Sequence, residues 1–374
     1  MQVTQVAGLL NDITKEYIGE TAVVDEDLSN LVDIGSQLFD ATSVDNYVRS
    51  LLDKVGKMIA VNRSYKAPYP NILREGWEYG AVMQKIRTTI PEAVNNPSWS
   101  LSHGSEPNPF EYNPPTVVQK FWTEKSSFEI PMSFAEIQVK SAFNSRNEMM
   151  SFISMIENSI STSLTIKRTS VVQRAINRFV AEKIHASSAV IPLITNYVSD
   201  TGDSTVTAAN AIYKPEFLRY AAMTMSMYRK RLNYVSLLFN VGDIPTFTPD
   251  EYLHFIVNDQ FAKAIDVYLS SDTYHNELVK LSGYETVPFW QGSGTGYTFT
   301  DCTKIEATIA ENVTVSQGYI VGIMFDRDAI MVCNENYRTT TAYNARGEYY
   351  NNFYKSDFSS YNDLQENGII FILS

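Results

Sequence analysis

Two segments of the chain alternate apolar and polar residues in the manner of β-strands. In residues 79–90, Ile86 lies on one side of the alternation, and Lys85 and Arg87 lie on the other. Residues 116–130 interleave β-branched and aromatic residues with charges. A period of two with such residues predicts strands. The two segments therefore predict a long β-hairpin whose strands each reach roughly 40 Å.

The connection between these strands is rich in proline, since six of the fourteen prolines lie between Pro91 and Pro115. A two-stranded ribbon is marginal in water because neither face is covered. We therefore expect another copy of the chain to cover it, and for the basic residues we favour charge complementarity with that copy over a solvated ribbon. The predicted interface comprises Lys85, Ile86, Arg87, Trp99, Lys120, Phe121, Trp122 and Glu124.

A long helix follows the hairpin, because neither proline nor glycine occurs between Met132 and Ile191. Ser145 and Glu148 fit a capping box, and apolar residues then recur on one face as far as Val180. A helix over about 145–185 would be roughly 60 Å long. The polar residues 165–170 mark the place where it would bend or break.

The remaining pattern is a mixture of helices and mostly antiparallel strands, which predicts the α+β class. Residues 1–45 contain a short amphipathic helix and an acidic stretch typical of an arm, and Ser43 could cap a further helix. The later predicted elements are helices over 214–233 and 248–269, strands over 234–239 and 304–309, an apolar strand over 319–332 with a charged corner, and a last apolar strand over 368–373.

Composition narrows the function classes. The net charge of −12 argues against a protein whose main task is gripping nucleic acid, which requires basic residues to neutralise phosphates. Cys302 and Cys333 form neither a disulfide framework nor a zinc motif, so we expect buried free thiols. No signal sequence or apolar run long enough to span a membrane is present.

The search for catalytic or metal-binding motifs gives weak candidates. Glu251 and His254 would share a face of the predicted 248–269 helix, but a di-iron bundle needs a second such pair. Glycines 292–296 lack the Lys-Ser/Thr of a phosphate loop, which predicts a surface loop. Three adjacent residues, Asp326, Arg327 and Asp328, predict an ion-paired corner rather than an acid–base pair. We predict no catalytic residue, no metal and no cofactor.

The order of these parts resembles the major capsid protein of tailed bacteriophages, the Hong Kong ninety-seven type. The local match is residues 322–332, Gly-Ile-Met-Phe-Asp-Arg-Asp-Ala-Ile-Met-Val, which resemble the family's apolar strand interrupted by an aromatic-Asp-Arg turn. The resemblance covers essentially the whole chain.

The resemblance implies an N-terminal arm (1–45), an extended hairpin loop (76–133), a peripheral domain (46–75, 134–188 and 338–374) with the long helix as its spine, and an axial domain (189–337). It implies a non-enzymatic structural protein that assembles through hexamers and pentamers into an icosahedral shell around double-stranded DNA, without sequence-specific binding or a membrane. The early start of the hairpin implies that a separate protein supplies any scaffold. A portal is the other implied partner, in a virion made in the bacterial cytoplasm.

Three alternatives stay open at this point. One is an encapsulin-like compartment with the same fold and a protein cargo. Another is an α+β metal-dependent enzyme that uses Glu251 and His254. The third is a carbohydrate-binding module, which the 23 tyrosines and aromatic loops would suit.

Overall fold

The computed structural model describes residues 3–17, 23–40, 50–51, 72–75, 83–88, 90–91, 93–104, 108, 110–123, 125–242, 244–270, 283–291 and 296–374. The helix predicted after Ser43 and the glycine loop 292–296 lie almost entirely outside these residues. The chain divides into two compact units. The first comprises Met1–Glu78, Lys125–Val172 and Val332–Ser359, and the second comprises Tyr79–Glu124, Gln173–Met331 and Ser360–Ser374.

Within the described residues, the α-helices are α1 (Val3–Tyr17), α2 (Leu31–Asp40), α3 (Glu136–Ala142), α4 (Arg146–His185), α5 (Leu193–Thr201), α6 (Pro215–Leu232), α7 (Asp259–Ser270) and α8 (Phe299–Cys302). The strands are β1 (Leu73–Glu75), β2 (Met83–Thr88), β3 (Val117–Trp122), β4 (Lys125–Ala135), β5 (Val190–Pro192), β6 (Leu253–Asn258), β7 (Glu285–Val287), β8 (Ile305–Ala310), β9 (Val313–Gln317), β10 (Ile320–Asp326), β11 (Ile330–Asn344), β12 (Tyr349–Asn362) and β13 (Gly368–Ile372).

Helix α4 confirms the predicted long helix. The backbone N–H of Glu148 donates to the Ser145 hydroxyl at 3.3 Å, which satisfies one of the N–H groups left free at a helix start. The helix continues through residues 165–170, so of the predicted bend or break the break is wrong. The hydroxyls of Thr165 and Thr169 donate to the carbonyls of Ser161 and Thr165, at 2.8 and 2.9 Å, so these polar side chains are hydrogen-bonded within the helix.

The first unit contains a four-stranded sheet in the order β1-β11-β12-β4. Alternate residues of β12 are buried, and two of them, Tyr350 and Tyr354, lie in one apolar core with the part of α4 that includes Ile153 and Ile160. Helices α1 and α2 contribute Val6, Leu10, Ile13, Leu31 and Ile34 to the same core. The described N-terminal helices therefore contribute to the core of the first unit, and the assignment of residues 1–45 as an arm stays a prediction.

The second unit contains a five-stranded sheet in the order β5-β13-β10-β6-β7. Strands β10 and β13 are buried along their whole length, as their apolar runs predict. Helices α6 and α7 supply buried apolar residues to the core on one face, and Phe179 of α4 contacts Phe325 of β10 with ring centroids 5.9 Å apart. The charged corner lies between β10 and β11, as predicted.

Two predictions in this unit are wrong. Residues 253–258 form strand β6 inside the sheet rather than the first half of a helix, because short buried apolar runs satisfy both patterns. Residues 234–239 make one isolated bridge, between Ser236 and Thr246, and form no strand. Leu238 is 76% exposed whereas Phe239 is buried, so only the end of this apolar run contributes to the subunit's own core.

Candidate assembly surface

The ribbon formed by β2 and β3 has two chemically different faces. The strands pair antiparallel, with Lys85 opposite Lys120 and Ile86 opposite Gln119. Side chains alternate between the faces of a strand. The inner face, half-buried, carries the charged residues and Trp122, and the outer face is exposed and uncharged. The outer face consists of Gln84, Ile86, Thr88, Val117, Gln119 and Phe121.

The inner face is held by two carboxylates of the turn between β12 and β13. Asp363 Oδ2 accepts from Lys85 Nζ and Asp363 Oδ1 accepts from Lys120 Nζ, both at 2.7 Å. Glu366 Oε1 lies 2.7 Å from Lys85 Nζ and 3.2 Å from Arg87 Nη1. We call these five residues the hairpin clamp. All five belong to the second unit, and their ion pairs join the ribbon to the turn between β12 and β13.

Electrostatics in the hairpin clamp follow from these contacts. Burial by itself would raise the pKa of Asp363, but the hydrogen bonds from Lys120 and Lys85 outweigh it, so the pKa lies below its ordinary value. Burial would lower the pKa of Lys85, but the hydrogen bonds to Asp363 and Glu366 raise it above its ordinary value. Both shifts favour the charged forms, so the pairing is ionic over the ordinary pH range.

A further cation, Lys183 of α4, lies fully buried beside the same turn. Its Nζ donates to the carbonyls of Phe239 and Glu366 at 2.9 and 3.3 Å. Burial lowers the pKa of Lys183 to about 8, against the opposing attraction of Asp363 and Glu366. The turn therefore binds cations from the ribbon and from the long helix.

Exposed apolar side chains lie on the outer face of the ribbon and in the segment between its strands. Ile86 and Phe121 are more than half exposed. Among the described residues between the strands, Trp99 is 99% exposed and Phe110 and Tyr112 are nearly as exposed. Single exposed apolar residues are common on proteins, but large aromatic side chains concentrated in one segment indicate a binding surface.

A second exposed apolar surface lies in residues 234–247. It consists of Tyr234, Val235, Leu237, Leu238 and Phe247, which are all between 47% and 76% exposed. The segment follows helix α6 and is fixed by the Ser236–Thr246 bridge and by hydrogen bonds of Asn240 to Ile244. An ordered loop that leaves its apolar side chains in solvent is typical of an interface.

The structure gives part of the predicted interface partners within the subunit. Carboxylates of the same chain bind the charged ends of Lys85, Arg87 and Lys120, and the expected charge complementarity of these residues with a neighbouring copy stays a prediction. Trp122 stacks on Tyr361 of the same chain, with ring centroids 4.4 Å apart. Ile86, Phe121 and Trp99 remain exposed, and Glu124 lies outside the described residues.

The ribbon itself is shorter than the sequence pattern predicted. Residues 116–130 divide into β3, which pairs with β2, and β4, which pairs with β12 from Lys125–Ser359 to Ala135–Tyr349. The alternation continues across the division, so no local signal marks it. Asp363 and Glu366 could not be identified from local sequence, since they lie more than 240 residues from the cations that they bind.

The proposed Glu251–His254 helical metal pair is wrong, because Glu251 lies in a 3-10 turn and His254 lies in strand β6. His254 is buried and stacks on Phe325 at 5.2 Å. Among the described residues, no three His, Cys, Asp or Glu side chains group as a metal ion would require.

The charged corner and the cysteines have structural surroundings. Asp326 is buried and accepts from the Thr248 hydroxyl at 2.8 Å, and burial raises its pKa. Arg327 lies over the Tyr252 ring at 4.1 Å and 3.9 Å from Asp328. Cys302 and Cys333 are buried free thiols, as predicted. No helix in the described part of the chain is both long and apolar enough to cross a bilayer.

Comparison with solved structures identifies the fold. A chain of the capsid structure of Staphylococcus phage Andhra is similar, with a TM-score of 0.54 and 9% identity over 81% of this chain and 83% of that chain. A chain from the structure of the head fiber and inner core protein gp22 of native bacteriophage P68 has a TM-score of 0.53 and 8% identity over 84% of this chain and 86% of that chain. The fold is that of the Hong Kong ninety-seven type phage capsid proteins, as the order of elements predicted.

The sequence assigns the chain more narrowly within this class. The family model of the Phi29-like phage major capsid protein matches residues 8–372. The chain belongs to this family and is a phage major capsid protein that forms capsid shells. No curated protein matches the chain significantly.

Proposed function

We propose that copies of this chain assemble through hexamers and pentamers into the icosahedral shell that encloses phage DNA in the virion. Membership of the capsid family supports a shell, and the exposed outer face of the ribbon supports the mode of contact. This assignment favours the phage shell over the encapsulin-like compartment and the carbohydrate-binding module.

The observation that carries the proposal is the exposure of three large apolar side chains, Ile86 and Phe121 on the uncharged outer face of the ribbon and Trp99 in the segment between its strands. Burying a large apolar side chain contributes about 1.5–3 kcal/mol before the entropy of association is subtracted. A contact of this size is weak for two subunits. In a closed shell each subunit makes it with a neighbour, so many weak contacts act together.

In this proposal the extended hairpin loop (76–133) lies over a neighbouring subunit, and the exposed loop 234–247 of the proposed axial domain meets its copies within a capsomer. The parts 46–75, 134–188 and 338–374 form the peripheral domain. The net charge of −12 suits a container that holds DNA without gripping it. A portal and a separate scaffolding protein are the proposed partners during assembly in the host cytoplasm.

Electron microscopy of the full-length protein, expressed alone and with its neighbouring phage genes, tests the proposal. We expect closed particles with hexameric and pentameric clusters in at least one condition. A protein that stays monomeric in every condition would contradict the proposal. Particles filled with protein rather than nucleic acid would favour the encapsulin-like alternative.

A paired substitution on the outer face tests the mode of contact. We expect Phe121→Gln to reduce particle yield at least about tenfold, because the lost apolar burial recurs at every contact. Phe121→Met, which keeps an apolar side chain, should retain most of the yield. Equal yields from both variants, with unchanged unfolding of the free subunit, would show that this face does not make the contact.

A further inference from the structure

The ribbon of β2 and β3 opposes its own pairing. Lys85 and Lys120 occupy directly opposite positions on the two strands, and Arg87 lies two residues along the same face. Directly opposite residues have Cβ atoms about 4.5–5.5 Å apart, and like charges in such positions destabilise the pair. A two-stranded ribbon is already marginal in water. The pairing of β2 with β3 in this register therefore needs an anion from outside the ribbon.

The Asp363 side chain supplies this anion to both strands. Each carboxylate oxygen of Asp363 binds a different lysine of the opposed pair, both at 2.7 Å. The turn that carries Asp363 is itself fixed, because the Asp363 N–H donates to the Ala329 carbonyl at 2.7 Å and Asp363 Oδ1 accepts from the Gln365 N–H at 3.1 Å. The Asp363 carboxylate is therefore held in place on the second unit. The charges of Lys85 and Lys120 are neutralised when the ribbon packs against it.

We infer that Asp363 is a positioning residue, whose bridging carboxylate both closes the β2–β3 register and fixes the ribbon on its own subunit with Ile86 and Phe121 directed outward. Glu366 supports it by binding Lys85 and Arg87. This inference rests on the proposed function, since the outward face is the one that would meet the neighbouring copy. The same ion pairs would then stabilise the pairing of the two strands and attach the ribbon to its own subunit.

A bridging anion and an ordinary ion pair predict different mutational patterns. If Asp363 formed only an ion pair, removal of Lys120 or of Asp363 would weaken the ribbon to a similar extent. If it neutralises opposed lysines, Lys120→Met removes the repulsion together with the contact and does little harm. Asp363→Asn leaves the cations facing one another, and the added Lys120→Met substitution then restores the ribbon.

Hydrogen exchange of the full-length unassembled subunit measures this directly, because the ribbon amides report its opening separately from the core. We expect Asp363→Asn to speed exchange in 83–88 and 117–122 by about tenfold or more, from the loss of two charge-assisted hydrogen bonds. Lys120→Met and the double variant should stay within about threefold of wild type. Asp250→Asn, which removes the 3.0 Å ion pair with Arg229 elsewhere in the second unit, is the matched control and should leave the ribbon unchanged.

Salt gives a readout with a distinct sign. Added potassium chloride screens repulsion between charges that remain partly in contact with solvent, as Lys85 and Lys120 do. It should therefore slow ribbon exchange in Asp363→Asn, where the cations are unbalanced, and slow it much less in the double variant. If salt speeds exchange in Asp363→Asn, or if Lys120→Met is as damaging as Asp363→Asn, the inference is overturned.

Two further outcomes are separable. If Asp363→Asn also speeds exchange in the buried strands β10 and β13, Glu366→Gln is tested in its place, because that change leaves the Asp363 bridge intact. Glu366→Gln should speed exchange in the ribbon by less than tenfold, but by more than the Asp250→Asn control does. Particle formation is then compared across the same variants. A wild type that never assembles refutes the proposed function, whereas a loosened ribbon with undiminished assembly refutes only the positioning role.

Discussion

Lys183 offers a sharp test of the electrostatics of the second unit. It is fully buried, and its Nζ donates to the carbonyls of Phe239 and Glu366. Burial lowers its pKa from 10.5 to about 8. The unfolded chain therefore binds more protons than the folded chain between pH 8 and pH 10.5, so the free energy of unfolding should rise with pH in that window.

The magnitude follows from the shift. One pKa unit corresponds to about 1.4 kcal/mol, so a charged Lys183 costs the folded state about 3 kcal/mol at neutral pH. Between pH 8 and pH 10, loss of this proton should therefore raise the free energy of unfolding by about 2 kcal/mol. Lys183→Met removes the charge and also two hydrogen bonds, each contributing roughly 1 kcal/mol. The Phe239 carbonyl keeps a second donor, the Gly368 N–H at 2.8 Å, so it is not left unsatisfied.

Urea unfolding of the unassembled subunit at pH 7, 8, 9 and 10 checks this reasoning. The difference in unfolding free energy between wild type and Lys183→Met should change by about 2 kcal/mol from pH 8 to pH 10, in favour of wild type. The solvent-exposed Lys263 is the control, and Lys263→Met should give a curve parallel to wild type. Parallel curves for wild type and Lys183→Met would refute the lowered pKa.

The remaining predictions concern packing in each unit. Gly368→Ala should destabilise the subunit by about 1–3 kcal/mol, since a Cβ there would lie 2.8 Å from the buried Phe179 ring, whereas Gly318→Ala, with nothing within 4 Å, should stay within about 0.5 kcal/mol in the same denaturation assay. Ile160→Ala on the buried face of α4 should cost about 2–5 kcal/mol and lower the melting temperature. Ile166→Ala on the exposed face of the same helix should change it little, and equal losses would contradict the assigned faces.

The pattern of apolar residues was sufficient to predict an element where the spacing within the segment fits only one kind of secondary structure. The long helix could be predicted because its apolar residues repeat at helical spacing without proline or glycine, and Met149 to Val180 are buried on that face. The strands β10 and β13 could be predicted because continuous apolar runs suit a buried strand. The same rule failed for residues 253–258, because a short apolar run fits a buried strand and a buried helix equally well.

The interface residues divide in a similar way. The sequence identified Ile86, Phe121 and Trp99 as apolar residues that one subunit has no means of covering, and the structure leaves them exposed. It could not show that Lys85 and Lys120 already have partners, since Asp363 gives no local sign of the role that it plays.

The sequence by itself determined the class of fold, the long helix, the buried strands and the family resemblance, because each depends on residues close together along the chain. Tertiary structure alone decided that residues 116–130 divide between two sheets and that Asp363 lies between two lysines. Pairing across more than 240 residues depends on which surfaces meet when the chain folds, and no local run of residues carries that information.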